Sequence, residues 1–243
     1  MKEMSEKLAT ILVTRKLKNE DIEYAHSLNL EVVCIPMLSF EFPDDWAEQI
    51  EQISTIKADS WIFTSKNGVL GFEELIKYID YQKPKINTFA VGKKTAGELL
   101  RLDYKPYIPE KKSAKELAKL IIDLGVTNKA IHFCGNRRRN ELSNLLKEAG
   151  IELDEIEVYR TVTHPERDQK LDYKNILFYS PSAVEAFYEN RTVSDGITHF
   201  AIGPTTAKAL GYAGARNIVV SDEPSTESLL KKVHEHLTRV HEN

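Results

Sequence analysis

Six short turns in this sequence place Ser, Thr, Asn or Gly residues directly after runs of apolar residues. A segment with helical spacing follows most of these turns, and a helix N-terminus offers unpaired backbone N–H groups with a partial positive charge. Such turns hold anions, but they also serve as simple helix caps, in which case Ser182 and Thr205 would be N-cap residues. The turns are TRKLKN (14–19), TSKNG (64–68), GKKTA (92–96), CGNRRRN (134–140), SPSA (180–183) and GPTTA (203–207).

Cationic side chains lie in or beside these turns, including Arg15 and the arginine triplet at 137–139. The planar guanidinium group can bind both oxygens of a carboxylate. An arginine triplet also occurs in nucleic-acid-binding proteins, but a lone triplet without interleaved aromatic residues is more typical of a solvated face or a carboxylate site. The chain carries a net charge of -4, so any anion site must be local. The turns together predict a site for a polyanion.

Tyr159, in the segment EVYRT, is a further candidate for chemistry. Neighbouring residues of a strand point to opposite faces, so the side chains of Val158 and Tyr159 would lie on opposite faces of the sheet. Tyrosine hydroxyls stay protonated near neutral pH and can donate a hydrogen bond. The sequence alone leaves two roles open for Tyr159, structural packing and hydrogen-bond donation in a site.

Several well-known site signatures are absent from the sequence. It has no G-x-x-x-x-G-K-[ST] phosphate loop, no G-x-G-x-x-G and no G-x-S-x-G. His234 and His236 are two residues apart on a predicted helix and would point away from each other, so we predict no metal site. These absences disfavour a nucleotide-using transferase of Rossmann-like build.

The elements that position these turns follow from the alternation of short apolar runs with longer segments of helical spacing. This alternation is typical of βα units around a parallel sheet. The candidate strands are residues 10–14, 31–36, 60–65, 88–92, 129–135, 156–162, 175–180, 199–203 and 217–221.

Three of these units recur in the same order about 110 residues later in the chain. FAVGKKTAGELL from Phe89 matches FAIGPTTAKALG from Phe200, and IFTSKNGVLGFEE from Ile62 matches LFYSPSAVEAFYE from Leu177. The third match is between EKKSAKELAKLI from Glu110 and DEPSTESLLKKV from Asp222. An ordered repeat of this kind indicates two similar domains.

The repeat also predicts how the chain is divided. The first copy continues into a strand-helix-strand unit that the second copy lacks, and residues 10–36 at the start of the chain have the same pattern. We therefore predict a discontinuous α/β domain, 1–36 plus 165–243, with a similar domain inserted as residues 40–158. The linkers, about 35–42 and 156–165, look extended and could pair as a two-stranded hinge beside a cleft between the domains.

Composition sets the broad class of the protein. With 42% hydrophobic and 29% charged residues, the 243-residue chain is typical of a globular protein, and its charge gives no case for a nucleic-acid or membrane partner. Cys34 and Cys134 lie in apolar runs, which favours two reduced thiols. No apolar stretch is long enough for a signal peptide or a membrane span, so we expect a cytoplasmic protein.

The ordered set of motifs resembles the uroporphyrinogen-III synthase family. It comprises ILVTR, FTSKNGV, FCGNRRRNEL, GIELDEIEVYRTV, LFYSPSAVEAF, FAIGPTTAKAL and DEPSTESLL, and it spans nearly the whole chain. The resemblance implies two flavodoxin-like parallel-sheet α/β domains, joined by a two-stranded β ladder, with the active-site cleft between them.

The resemblance also implies an activity. Enzymes of this family are cofactor-free lyases of tetrapyrrole and heme biosynthesis, which close the linear hydroxymethylbilane into uroporphyrinogen III, invert ring D and release water. The substrate is flexible and carries carboxylates on every ring, so the main demand on the enzyme is to fix a productive geometry. The alternative that we keep is a bilobed, non-catalytic protein that binds or senses an anionic ligand.

Site residues carry over by motif. The tyrosine of the family's V-Y-x-T segment falls on Tyr159, which we expect to hydrogen-bond the departing hydroxyl. Together with the turns, the motifs predict a substrate-binding set of Arg15, Ser65, Gly92, Thr95, Gly135, Asn136, Arg137, Ser180, Pro181, Ser182, Gly203, Thr205 and Thr206. We expect a monomer without metal or cofactor, which receives hydroxymethylbilane from the upstream hydroxymethylbilane synthase.

Overall fold

The computed structural model describes residues 9–164 and 173–241, and these fold into ten strands and nine α-helices. The remaining residues, 1–8, 165–172 and 242–243, belong to the predicted discontinuous domain and its second linker but lie outside the described residues. Within the described ranges, no helix is both long and apolar enough to cross a membrane.

The chain divides into two compact units. Unit 1 consists of residues 1–39 and 163–243, and unit 2 of residues 40–162. The elements of unit 1 are β1 (Ala9–Val13), α1 (Asn19–Ser27), β2 (Leu30–Cys34), β8 (Asn175–Phe178), α7 (Pro181–Tyr188), β9 (Thr198–Ala201), α8 (Pro204–Tyr212), β10 (Ile218–Val220) and α9 (Thr226–His241). Those of unit 2 are α2 (Ala47–Thr55), β4 (Ser60–Phe63), α3 (Lys66–Leu75), a 3-10 turn (Ile76–Tyr78), β5 (Asn87–Ala90), α4 (Lys93–Arg101), α5 (Ala114–Leu124), β6 (Lys129–Gly135), α6 (Glu141–Glu148) and most of β7 (Glu152–Thr163), while β3 (Leu38–Glu41) contains the first division point.

The sheet of unit 1 has the strand order β10-β9-β8-β1-β2, and all its neighbouring strands are parallel. Counted along the chain within the unit, this is the order 2-1-3-4-5 of a flavodoxin-like sheet. The strand order reverses between β1 and β8, and in sheets of this type ligands bind beyond the carboxyl ends of the strands at such a point.

The sheet of unit 2 has the order β3-β7-β6-β4-β5, in which β7, β6, β4 and β5 are parallel neighbours. Strands β5, β4, β6 and β7 therefore take the places of β9, β8, β1 and β2 in the other sheet. An isolated parallel bridge between Phe89 and Tyr107 lies where β10 lies in unit 1. The predicted α/β class and the similarity of the two parallel sheets are confirmed.

Each sheet is covered by helices on both faces, because strand residues alternate between two separate cores. In β4, Trp61 and Phe63 pack with α3 and α4, whereas Ile62 packs with α5 and α6. In β1, Ile11 and Val13 pack with α1 and α9, whereas Leu12 packs with α7 and α8. The apolar runs found in the sequence are thus strands buried on both faces.

The boundary between the units falls inside β3 and at the end of β7, which are neighbours in one sheet. The predicted linkers at about 35–42 and 156–165 overlap these two strands. The two-stranded ladder expected to join the domains stays a prediction.

Candidate active site

The six predicted turns all follow the carboxyl ends of parallel strands, three in each unit. Those after β1, β8 and β9 lie at one edge of the first sheet, and those after β4, β5 and β6 lie at one edge of the second. Because the strands of each sheet are parallel, each edge gathers the N-termini of several helices. Each unit therefore has its own set of candidate anion-binding turns.

Two of these helices begin with a serine cap. The Oγ of Ser65 accepts a hydrogen bond from the backbone N–H of Gly68 at 2.9 Å, and that of Ser180 accepts one from Ala183 at 3.1 Å. The hydroxyls of Ser180 and Ser182 also lie 3.1 Å apart, and the proline between them is at the first turn of α7. The hydroxyl oxygens of Ser65 and Ser180 thus each accept one hydrogen bond from the helix that the serine precedes, as a simple N-cap does.

Two other helices begin with a glycine, which has no side chain to offer. Gly92 before α4 and Gly203 before α8 have nearly the same extended backbone, with φ of -178° at both and ψ of 174° and 177°. In neither helix does a capping side chain accept a hydrogen bond from the first turn. These two N-termini therefore keep backbone N–H groups for an anion such as a carboxylate.

The threonines that follow these glycines differ in exposure. Thr95 and Thr206 occupy equivalent positions and are only 4% and 1% exposed, whereas Thr205 is exposed. Of these three threonines, only Thr205 is therefore open to solvent.

Tyr159 lies at an irregularity in the pairing of β6 with β7. Cys134 pairs with Glu157, but Gly135 pairs with Tyr159, so Val158 is an extra residue on β7. The Tyr159 ring fits closely over Gly135, since a Cβ added at Gly135 would lie 2.4 Å from the ring Cζ. The bulge and the glycine together place the ring against the end of β6.

Ser65 connects Tyr159 to the end of β4. Its hydroxyl donates a hydrogen bond to the Tyr159 hydroxyl oxygen at 3.1 Å while accepting the cap bond from Gly68. Because the Ser65 proton is used in this contact, the Tyr159 hydroxyl receives one hydrogen bond and keeps its own proton to donate. The two predicted site residues are thereby brought together, in an arrangement that leaves the Tyr159 proton for another acceptor.

The turn after β6 contains two predicted site residues with different surroundings. The side-chain amide of Asn136 accepts a hydrogen bond from the backbone N–H of Thr161 at 2.9 Å and donates one to its carbonyl at 3.4 Å. Asn136 thus holds β7 next to the turn. Arg137 is exposed, whereas the following arginine, Arg138, donates from Nε to a Glu155 carboxylate oxygen at 2.6 Å.

A buried polar network lies beside this turn and was not predicted. His132 is in contact with Thr64 at 2.9 Å through Nε2 and with Glu155 at 3.3 Å through Nδ1. The hydrogen bond from His132 and the nearby Arg138 guanidinium hold the pKa of Glu155 down at about 2. The network could have been found from the pairing of His132 with Glu155 on neighbouring strands. That pairing is known only once the register of β6 and β7 is known.

His132, Glu155 and the neighbouring Cys134 also bring three possible metal-ligand atoms within 4.8 Å of one another. In the structure these atoms have protein partners, including the carbonyl of Ile156, 3.6 Å from the Cys134 sulfur. Burial raises the pKa of the Cys134 thiol to about 12, which opposes the thiolate form that binds metals. In the structure the three residues therefore form a hydrogen-bonded network.

In unit 1, Arg15 lies at the switch point between β1 and β8. Its guanidinium stacks over the Tyr179 ring, 3.8 Å from the centroid, and Nη2 donates to the Thr226 hydroxyl at 2.7 Å. Burial raises the pKa of Tyr179 to about 12, so this tyrosine is uncharged beside the cation. These contacts hold the guanidinium of Arg15 in place, although the residue is exposed to solvent.

Comparison with known proteins adds the decisive observation. The model of the family described as uroporphyrinogen-III synthase HemD matches residues 20–231. This chain belongs to the uroporphyrinogen-III synthase family. The family assignment fits the predicted lyase class and does not favour the alternative of a non-catalytic sensor.

Solved structures show the same fold. A mutant uroporphyrinogen III synthase from the extremely thermophilic bacterium Thermus thermophilus is 20% identical with a TM-score of 0.68, and the match covers 95% of this chain and 99% of that one. A uroporphyrinogen-III synthetase from Helicobacter pylori is 18% identical with a TM-score of 0.64, covering 94% and 99% of the two chains. At this identity the likeness establishes the fold, and the family assignment rests on the family model.

Proposed function

We propose that this chain cyclises hydroxymethylbilane to uroporphyrinogen III, with inversion of ring D and loss of water. Membership of the uroporphyrinogen-III synthase family supports the activity. The structural observation that carries the proposal is the Tyr159 hydroxyl, which receives a hydrogen bond from Ser65 and keeps its proton for a ligand.

The role proposed for Tyr159 is to hydrogen-bond the hydroxyl that leaves the substrate. The C–O bond breaks with its electron pair on oxygen, which takes up a proton and leaves as water. The pyrrole nitrogen stabilises the cationic azafulvene that remains, and attack on it by the substituted carbon of ring D gives a spiro intermediate. This intermediate fragments and recloses inverted, and loss of a ring proton balances the proton taken up at the start.

The substrate carboxylates are proposed to bind at the turns of both units. Helices α4 and α8, which have a glycine as N-cap, supply backbone N–H groups. Arg15 supplies a guanidinium that Tyr179 and Thr226 hold in place. Holding the carboxylates restricts the flexible chain of pyrroles to the geometry that leads to isomer III. The proposed contact residues are Arg15, Ser65, Gly92, Thr95, Gly135, Asn136, Arg137, Ser180, Pro181, Ser182, Gly203, Thr205 and Thr206.

The remaining expectations concern the cellular setting. We propose a cytoplasmic monomer that needs no cofactor and receives its substrate from hydroxymethylbilane synthase. Both cysteines are free thiols in the structure, which is consistent with a reducing compartment.

The activity is tested with freshly prepared hydroxymethylbilane. We expect the wild-type protein to give mainly isomer III after oxidation of the products to porphyrins, and a reaction without protein to give isomer I. Tyr159→Phe should lower kcat about tenfold to a hundredfold, because a hydrogen bond to the leaving oxygen is lost while the ring remains.

Tyr107→Phe is the matched control, because it removes a tyrosine hydroxyl from the same unit where the ring stacks on Phe89. It should retain the wild-type kcat. Formation of isomer I alone by the wild-type protein would refute the synthase activity, and an unchanged kcat in Tyr159→Phe would remove Tyr159 from the mechanism.

A further inference from the structure

Phe40 on β3 is an exposed aromatic residue next to the candidate catalytic tyrosine. Its side chain is 58% exposed, although phenylalanine is usually among the most buried residue types. The ring of Phe40 packs edge-to-face with the ring of Tyr159, with centroids 6.0 Å apart and an interplanar angle of 68°. The contact uses only part of the Phe40 ring, so apolar surface remains available beside Tyr159.

Three residues contact the side chain of Tyr159. Gly135 packs against the Tyr159 ring, Ser65 bonds its hydroxyl oxygen, and Phe40 touches the ring as well. A group that accepts a hydrogen bond from Tyr159 lies about 2.7 Å from the hydroxyl oxygen. The carbon bearing that group, and the pyrrole attached to it, then lie beside Tyr159, whose ring also packs against Phe40.

We propose that Phe40 is a further substrate-contacting residue, whose ring lies against the pyrrole that loses its hydroxyl and stabilises the resulting azafulvene cation. The inference rests on the cyclisation proposed above. The face of an aromatic ring attracts cations, and the attraction is stronger where water is excluded. A phenyl ring beside the cation also limits attack by water, which would return the linear substrate.

The chemistry of phenylalanine suits this task. It has no nucleophilic atom that the azafulvene could alkylate, unlike a carboxylate or thiol placed at the same distance. A leucine at this position would supply apolar surface but no aromatic π system. The two contributions of the ring, apolar cover and attraction of the cation, can therefore be separated by substitution.

The test compares Phe40→Leu, Phe40→Ala and Phe40→Tyr by steady-state kinetics and by the ratio of isomer III to isomer I. We expect Phe40→Leu to lower kcat about fivefold to tenfold with a smaller change in KM, because the π system acts on the cation that forms during reaction. Phe40→Ala should lower kcat further and raise the share of isomer I. Phe40→Tyr keeps the ring and should stay within about twofold of the wild type.

Tyr78→Ala is the matched control. Tyr78 is 59% exposed in the same unit, and it lies after α3, at the opposite edge of the sheet from Tyr159. The control should keep the wild-type isomer ratio. Near-ultraviolet circular dichroism of each variant checks that the fold is kept, and if Phe40→Ala fails to fold, the comparison of Phe40→Leu with Phe40→Tyr decides.

Equal kcat values for Phe40→Leu and wild type overturn the role of the aromatic ring. A loss of kcat that Phe40→Tyr does not restore also overturns it. Both results require an active wild-type protein and leave the cyclisation standing. A wild-type protein that forms no isomer III overturns the proposed function, and with it this inference.

Discussion

Gly135 determines where the ring of Tyr159 can lie. Because an added Cβ would be 2.4 Å from the ring, Gly135→Ala must displace the tyrosine and weaken its contact with Ser65. We expect kcat to fall about tenfold or more, with the isomer ratio shifted toward isomer I. In a Tyr159→Phe background the same substitution should cost little more kcat, since the hydroxyl is already absent.

Gly97→Ala is the control for this prediction. Gly97 lies in α4 with no atom within 4 Å of an added Cβ, so alanine should stabilise the helix by about 1 kcal/mol and leave kcat unchanged. Independent, additive losses for Gly135→Ala and Tyr159→Phe would contradict the proposed link between these residues.

At the residue scale, the sequence predicts candidates but not the contacts between them. The prediction that Ser182 and Thr205 would be N-cap residues is wrong, because each is the second residue of its helix and the caps of α7 and α8 are Ser180 and Gly203.

A serine directly after a strand does cap α3, where Ser65 holds this position. Its hydrogen bond to Tyr159, 94 residues away, depends on the bulge at Val158 and on the missing side chain at Gly135. Neither feature can be inferred without the register of β6 and β7.

At the scale of elements, Glu155 ties β7 to β6 and to the turn that follows it. Its pKa is lowered from the usual 4.5 to about 2 by the hydrogen bond from His132 and by Arg138. A lowered pKa stabilises the folded state fully above pH 4.5, and the contribution is lost as the pH falls toward 2. The shift corresponds to about 3 kcal/mol of unfolding free energy.

We therefore expect Glu155→Gln to lose about 2–3 kcal/mol of unfolding free energy at pH 7 and to be less sensitive to pH between about 5 and 2.5 than the wild type. Urea unfolding at several pH values measures both effects. Glu157→Gln is the control on the same strand, where the carboxylate pairs with the exposed Arg160. Parallel pH curves for wild type and Glu155→Gln would show that this network does not carry the acid sensitivity.

The elements themselves were predictable where their residues are apolar. β4, β6 and β8 begin at the predicted residues, because short apolar runs buried on both faces have few other solutions. β7 begins at Glu152 instead of the predicted 156, since acidic residues are poor strand formers by themselves. Pairing with β6 overrides that preference, and Lys129 forms ion pairs with Glu152 and Asp154.

At the scale of the whole molecule, the internal repeat predicts the similarity of the two sheets. It can do so because it compares distant segments and does not depend on local propensity. β1 and β2, near the start of the chain, lie in one sheet with β8, β9 and β10, and all five strands belong to unit 1. The bounds given above for the two domains stay a prediction. The apolar cores follow the same division, and each described core cluster draws its residues from one unit only.

Separate cores imply that unit 2, which is a continuous segment of chain, can fold alone. Both tryptophans of the protein, Trp46 and Trp61, are buried in its core, so tryptophan emission reports on this unit. We expect a fragment of residues 40–162 to unfold cooperatively in urea with the emission maximum of the full chain. It should form no isomer III, because it lacks the carboxylate-binding residues proposed in unit 1, among them Arg15. A fragment of residues 40–150, without β7, loses Ile156 and Val158 from the core and should show no cooperative transition. Solvent-exposed tryptophan emission from the 40–162 fragment would instead mean that unit 2 depends on unit 1 for its stability.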